Sequence, residues 1–196
     1  MKIYTKKGDD GTTGLLYGGR VLKNSDVIEA NGAIDEAQST LGIARSFCEK
    51  GSPLEDILIS VERDLWIVMG EVATEPSNRH KLAEKDSLIS TDMIERLEKL
   101  IDECATRYQM PNEFVIPGSN TLSAQLDMAR TIVRRAERRT VTLALQGSLA
   151  VNYLNRLSDL LWSLARWQEE EHLLAKSSKL DLQDPKPSDH PEETRS

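Results

Sequence analysis

Between Leu54 and Val72 the chain repeats Leu54, Ile57, Leu58, Val61, Leu65, Val68 and Val72 at the three- and four-residue spacing that puts side chains on one face of a helix. Ser52-Pro53 starts that helix as an N-cap followed by proline, and Glu75-Pro76 ends it. The same period recurs on both sides. A first helix begins at Asp26, with Ile28, Ile34 and Leu41 apolar and Asn31, Asp35, Gln38 and Gly42 as a polar stripe. A third runs from about Thr91 to Tyr108, a fourth over about 120–146 with a stop at Gly147, and a fifth from about Leu149 to Ala175. Residues 76–89 read as a polar loop, and no segment reads as a strand of note. Five long helices with short connections predict an all-α fold, an antiparallel five-helix bundle. Residues 26–176 form the bundle. Residues 1–25, rich in Gly, Lys, Asp and Thr, read as an ordered loop of the same domain, and 177–196 read as a disordered polar tail.

The second informative feature is electrostatic. The chain carries a net charge of −7, yet five arginines fall within ten residues, from Arg130 through Arg134, Arg135, Arg138 and Arg139. At about 100° per residue, Arg130, Arg134, Glu137 and Arg138 share one helix face roughly a quarter-turn wide, while Arg135 and Arg139 point away. Two explanations stand: a solvated face laced with Glu–Arg pairs, or a clamp for a polyanion in which Glu137 holds the guanidinium planes. Net negative charge and few aromatics argue against nucleic acid. No apolar run approaches the ~18 residues that span a bilayer, and residues 1–8 lack the apolar core of a signal peptide, which makes the cytoplasm the expected location.

Other constellations are smaller. Thr5-Lys6-Lys7-Gly8-Asp9-Asp10-Gly11-Thr12-Thr13-Gly14, followed by Lys23, has the glycines, hydroxyls and ammonium groups that suit a phosphate, but not the order of a P-loop; it is equally a surface loop. On the last helix, Asn155, Asp159, Trp162 and Arg166 share a stripe opposite Leu154, Leu157, Leu161 and Leu164. Asn155 and Asp159 are surface residues, or they face the fourth helix beside Arg134 and level with Arg138. Asp35, beside Ile34 and Ala37, reads as partly buried and in want of a cation, for which Arg130 is a candidate. Phe114 caps the core or wedges against a ligand. Cys48 and Cys104 read as small buried thiols, and His80, His172 and His190 as surface or terminal residues. No serine has a His or Lys partner at a suggestive spacing, so the chemistry of any enzyme built on this chain must come from its bound molecules.

Tyr4-Thr-Lys-Lys-Gly-Asp-Asp-Gly-Thr-Thr-Gly, Gly32-Ala-Ile-Asp-Glu, Phe114-Val-Ile-Pro-Gly, Arg134-Arg-Ala-Glu-Arg-Arg and Tyr153-Leu-Asn-Arg-Leu-Ser-Asp occur in that order. Together, over about residues 1–175, they resemble the PduO-type ATP:cob(I)alamin adenosyltransferases. The resemblance implies a homotrimer with sites between adjacent subunits and two substrates, ATP with Mg²⁺ and cob(I)alamin. ATP is expected against Thr5, Lys6, Lys7, Gly8, Thr13, Gly14 and Lys23 of one subunit. Arg134, Arg135, Glu137, Arg138 and Asn155 are expected from the next. Asp35 and Arg130 match an intersubunit ion pair; Phe114, with Asp159, matches the corrin side. Arg134, Arg138 and Phe114 are the residues expected to carry catalysis. No metal ligand is expected from side chains alone, Mg²⁺ arriving on the ATP phosphates. A cob(II)alamin reductase or an adenosylcobalamin-dependent enzyme is the partner such an activity implies. Lys7 departs from the uncharged residue expected in Thr-Lys-Thr-Gly-Asp, and the polar tail after Lys176 lacks an evident apolar segment for the corrin site. A non-catalytic ATP- or corrinoid-binding carrier would use the same loop and arginines.

Overall fold

The computed structural model describes residues 3–85 and 87–176, so the expected disordered tail and His190 lie outside the described residues. The chain is mostly helical, as expected: α1 Asp26–Ser46, α2 Pro53–Val72, α3 His80–Ala83, α4 Thr91–Ala105, α5 Thr121–Thr142 and α6 Ala150–Trp167. Three differences from the sequence reading matter. The N-terminal loop contains an antiparallel pair, β1 Thr12–Gly14 and β2 Arg20–Leu22, with Thr13 opposite Val21. The 76–89 segment holds a 3-10 turn, Pro76–Asn78, and the single-turn α3. α5 and α6 are each shorter than their periodicity suggested. α5 stops at Thr142 because Ala144 and Gly147 take positive φ (46° and 68°), which no helix accommodates. α6 stops at Trp167, and residues 168–176 turn back along the bundle end.

Side-chain caps account for the starts of α2, α4 and α5. The Ser52 hydroxyl accepts from Glu55 N ahead of Pro53, the Ser90 hydroxyl from Met93 N, and Asn120 forms a reciprocal capping box with Ser123. Leu58, Val61, Leu65 and Val68 of the founding repeat are fully buried, against Ile34, Ala37 and Leu41 of α1 and Leu154, Leu157 and Leu161 of α6. α1 packs on α2 and α5, α5 on α6, and α6 on α4. Helices adjacent in sequence run antiparallel, but α4 and α6 run side by side in the same direction. Arg156 meets Glu98 (3.0 Å) near the middle of α4, and further along both helices Tyr108, just past the end of α4, meets Ser163 (3.3 Å). The bundle is therefore not antiparallel throughout.

Polar groups tie α2, α4 and α6 together. Asp64 of α2 receives Arg96 of α4 and the Tyr153 hydroxyl of α6 (2.8 Å). Burial first, then the Asp64 carboxylate, pushes the Tyr153 phenol well above its ordinary pKa, so it is a neutral donor. Tyr153→Phe should cost about 1–3 kcal/mol, because it leaves a buried acceptor short of a donor; urea unfolding would measure it, and an unchanged midpoint would contradict this role. Cys104 is buried, while Cys48 is only half-buried, which corrects the reading of both as core thiols. Desolvation raises the pKa of each. Among the described residues, no helix is long and apolar enough to cross a membrane.

Candidate functional site

The two ends of the bundle carry different chemistry. At one end the β-hairpin docks on the C-terminal end of α2: Leu16 N donates to Ala73 O (2.9 Å), and the Tyr17 ring lies under Lys85 and Lys81 (5.0 and 5.9 Å). The hairpin's return passes through Gly18 and Gly19, both at positive φ (111° and 88°). The positive φ favours glycine at both, and a Cβ on Gly19 would also sit 3.0 Å from Glu75 Oε1, which would have to shift. The predicted phosphate-loop residues come together here. Lys23 lies against Gly8, where a Cβ would meet its Nζ at 3.0 Å, and Lys23 N donates to Gly11 O (2.9 Å). Arg20, which the sequence reading passed over, ties the loop: it donates to Lys7 O (2.6 Å) and bonds the Thr12 hydroxyl. Thr12 N and its hydroxyl donate to Asp10 (2.9 and 2.8 Å), which lowers the Asp10 pKa. Lys6 adopts φ 60°, uncommon for a side chain of its size, and Thr5 accepts weakly from Lys7 N (3.4 Å). Thr13 and Gly14 are strand residues of β1.

The arginine face divides as helical geometry required. Arg134 and Arg138 are exposed, with no acidic partner among the described residues. Arg135 turns the other way and pairs with Glu36 of α1, so in this chain it stands apart from its neighbours. Glu137 does not hold the guanidinium planes: its Oε1 accepts from Asn155 Nδ2 of α6 (3.0 Å). The expected level of Asn155 with the arginines therefore holds, across an α5–α6 joint of seven residues, 143–149. The result is an open furrow between α5 and α6 with two unpaired cations on one bank and a fixed amide on the other.

Asp35 is exposed, which corrects the expectation of partial burial, and no ion pair within the chain engages it among the described residues. Arg130 instead bonds Asp127 of its own helix (Nε–Oδ1 3.0 Å). Asp159 is exposed and accepts from Arg156 (2.9 Å). At the far end of the bundle, Phe114 is 86% exposed, so it does not cap the core. It borders a cavity of about 450 Å³ shared with Arg130, Asp127, Trp162 and Arg166. Trp162 stands edge-on to Tyr108 (6.2 Å). Arg130, Arg134 and Arg138 then lead away from that cavity over about 12 Å of helix.

Sequence reasoning missed one cluster. Arg166, placed on a polar stripe, is 1% exposed; its Nη2 donates to Asp127 (2.6 Å) and Glu169 (2.9 Å), and Glu169 also meets His172 Nδ1 (2.9 Å). His172 is thus a tethered residue and no bare surface one. The available signal was Asp127, a carboxylate one turn before Arg130 on the arginine face of α5. Among the described residues no three His, Cys, Asp or Glu side chains are grouped so that they could hold a metal ion.

The chain is 38% identical over 174 residues to a corrinoid adenosyltransferase of Citrobacter freundii, covering 86% of this chain and 95% of that one. It is 36% identical to the corrinoid adenosyltransferase PduO of Salmonella typhimurium over 87% of this chain, which spans about half of that protein's length, 51%. Among solved structures, a variant of the PduO-type ATP:corrinoid adenosyltransferase from Lactobacillus reuteri, complexed with cobalamin and ATP, superposes with a TM-score of 0.79 at 28% identity. That match covers 91% of this chain and 98% of that one. Residues 3–168 match the family Cobalamin adenosyltransferase, and this protein belongs to it.

Proposed function

We propose that this protein transfers the 5′-deoxyadenosyl group of ATP to the cobalt of cob(I)alamin, giving adenosylcobalamin and triphosphate, at sites shared between subunits of a homotrimer. The observation that carries the reading is a pair of exposed, unpaired guanidinium groups, Arg134 and Arg138, on a face that runs from an exposed aromatic, Phe114. Such cations are stable in water and gain most when an anion replaces the water. The glycine-and-lysine hairpin is the second half of an ATP site, yet no hydrogen bond or ion pair joins residues 3–25 to Arg134, Arg138 or Asn155 among the described residues. A neighbouring chain supplies the missing half, with Asp35 of one subunit opposite Arg130 of the next.

Cobalt(I) is the nucleophile, which is why the chain needs no activated Ser, Cys or His. The cobalt–carbon bond forms at C5′ as the C5′–oxygen bond breaks, and the electron pair leaves with triphosphate. Lys6, Lys23, Arg134 and Arg138 stabilise the charge that grows on the leaving oxygen. Thr5, Lys7, Gly8, Thr13 and Gly14 line the same phosphates, and Asn155, fixed by Glu137, orients the nucleotide. Mg²⁺ would arrive on the ATP phosphates, whose remaining oxygens the lysine and arginine side chains suit. A cytoplasmic cob(II)alamin reductase is the partner such chemistry requires.

Anaerobic mixing of the protein with reduced cobalamin and MgATP should give the spectrum of the alkylated corrin with triphosphate as co-product. Release of ADP or pyrophosphate instead would sink the reaction. Phe114 acts separately, as an apolar wedge that keeps the lower face of cobalt empty and so eases reduction to cobalt(I). Phe114→Ala should lower turnover about 10- to 100-fold with little change in the KM for ATP, since nothing on the phosphate side is touched.

A further inference from the structure

Phe114 has almost no packing to hold it, yet a wedge must be held. Its loop is gripped by the chain that follows α6. Ile116 N donates to Leu173 O (2.7 Å), Ala175 N to Phe114 O (2.8 Å), and Lys176 N to Glu113 Oε2 (3.1 Å). Asn120 Nδ2 adds a bond to Gln168 O (2.6 Å). That returning segment is itself mostly exposed, Leu173 included, so apolar burial contributes little to its anchorage. What fixes it is the buried cluster. Each oxygen of Glu169 takes one bond, from Arg166 and from His172, and Arg166 is locked to Asp127 of α5. The other oxygen of Asp127 holds Arg130, which borders the same cavity as Phe114. Arg166 Nε is buried without a hydrogen-bond partner among the described residues.

We propose that Asp127, Arg166, Glu169 and His172 are positioning residues for the adenosyl transfer: they pin the 169–176 segment, which sets where Phe114 stands against the corrin and where Arg130 points. The corrin half of this rests on the adenosyltransferase reading; the clamp half does not.

The test compares wild type with His172→Ala, Glu169→Gln and, as a destabilised control away from the clamp, Tyr153→Phe. Amide hydrogen exchange reads the clamp without catalysis. In both cluster variants the Ile116 and Ala175 amides should exchange at least ~10-fold faster, with α1 unchanged. Turnover should fall about 10- to 100-fold, as expected when a reacting geometry slips by an ångström, with the KM for ATP unmoved. Electron paramagnetic resonance of cob(II)alamin bound with ATP should show less of the form lacking a lower ligand. In a Phe114→Ala background the cluster variants should add little further loss, because both act through one side chain. The control should show none of these signatures. Unchanged exchange at Ile116 and Ala175 overturns the proposal. So does a loss shared equally by ATP binding, or one that multiplies with Phe114→Ala. Wild-type protein that forms no adenosylcobalamin sinks the activity reading instead, and the exchange result then still decides the clamp.

Discussion

Arg134→Ala should lose on the order of 10²–10³ in turnover while its thermal midpoint stays close to that of wild type. The two halves of that expectation come from the same observation. Arg134 is exposed and unpaired, so removing it leaves no buried carboxylate uncompensated and no cavity behind. In the proposed reaction, however, it faces the triphosphate as negative charge accumulates on the leaving oxygen. Removing one donor aimed at developing charge costs about 3–4 kcal/mol. Arg134→Lys should recover only part of the loss, because an ammonium keeps the charge but not the planar, two-pronged contact with phosphate. Arg135→Ala is the internal comparison. Its guanidinium is engaged by Glu36 across the α1–α5 contact, and an exposed pair of this kind is worth about 0–1 kcal/mol. Steady-state kinetics and a melting curve on the three variants check this. Equal losses from Arg134→Ala and Arg135→Ala would remove the distinction that helical geometry draws between them.

The helices were legible because burial imposes a period on the sequence, and a period survives whatever the helix packs against. Leu58, Val61, Leu65 and Val68 had to be core on any arrangement of the bundle. Helix ends were less legible. α5 and α6 stop where tertiary bonds take over from periodicity: at Ala144, whose positive φ nothing in its side chain announces, and at Trp167, after which the backbone bonds the Phe114 loop. The hairpin was hidden because its strands are three residues long and carry no alternating apolar run. Of the site, the split between Arg134 and Arg135 followed from 100° per residue, and the level of Asn155 from antiparallel pairing. The fate of Arg166 did not. A stripe on a helix says which residues share a direction, not what lies in that direction. At Asn155 the direction is an open furrow, and at Arg166 it is Asp127 under a returning chain.

Mixing two crippled variants should restore what each has lost. Lys23→Ala damages the hairpin half of the site and Arg138→Ala the furrow half; each alone should fall by about 10²–10³, as for Arg134→Ala. If one chain supplied both halves, a mixture would only average two inactive enzymes. The hairpin, however, docks on the end of α2 through Leu16 and Ala73, whereas Arg138 stands over α5 with Asn155 opposite on α6, and no bond links the two groups among the described residues. In the proposed cyclic trimer every hairpin would face the furrow of one neighbour. An intact site then needs a hairpin from an Arg138→Ala chain and a furrow from a Lys23→Ala chain. With equal amounts and random assembly, about one site in four meets that condition. Co-unfolded and co-refolded mixtures should therefore reach roughly a quarter of wild-type turnover, a gain of about 25- to 250-fold over either parent. The KM for ATP in the mixture should match wild type, because the recovered activity comes from sites with no substitution. Size-exclusion chromatography with light scattering fixes the assembly state. Activity that stays at the parental level in refolded trimers shown to contain both chains would place the hairpin and the arginines in one subunit.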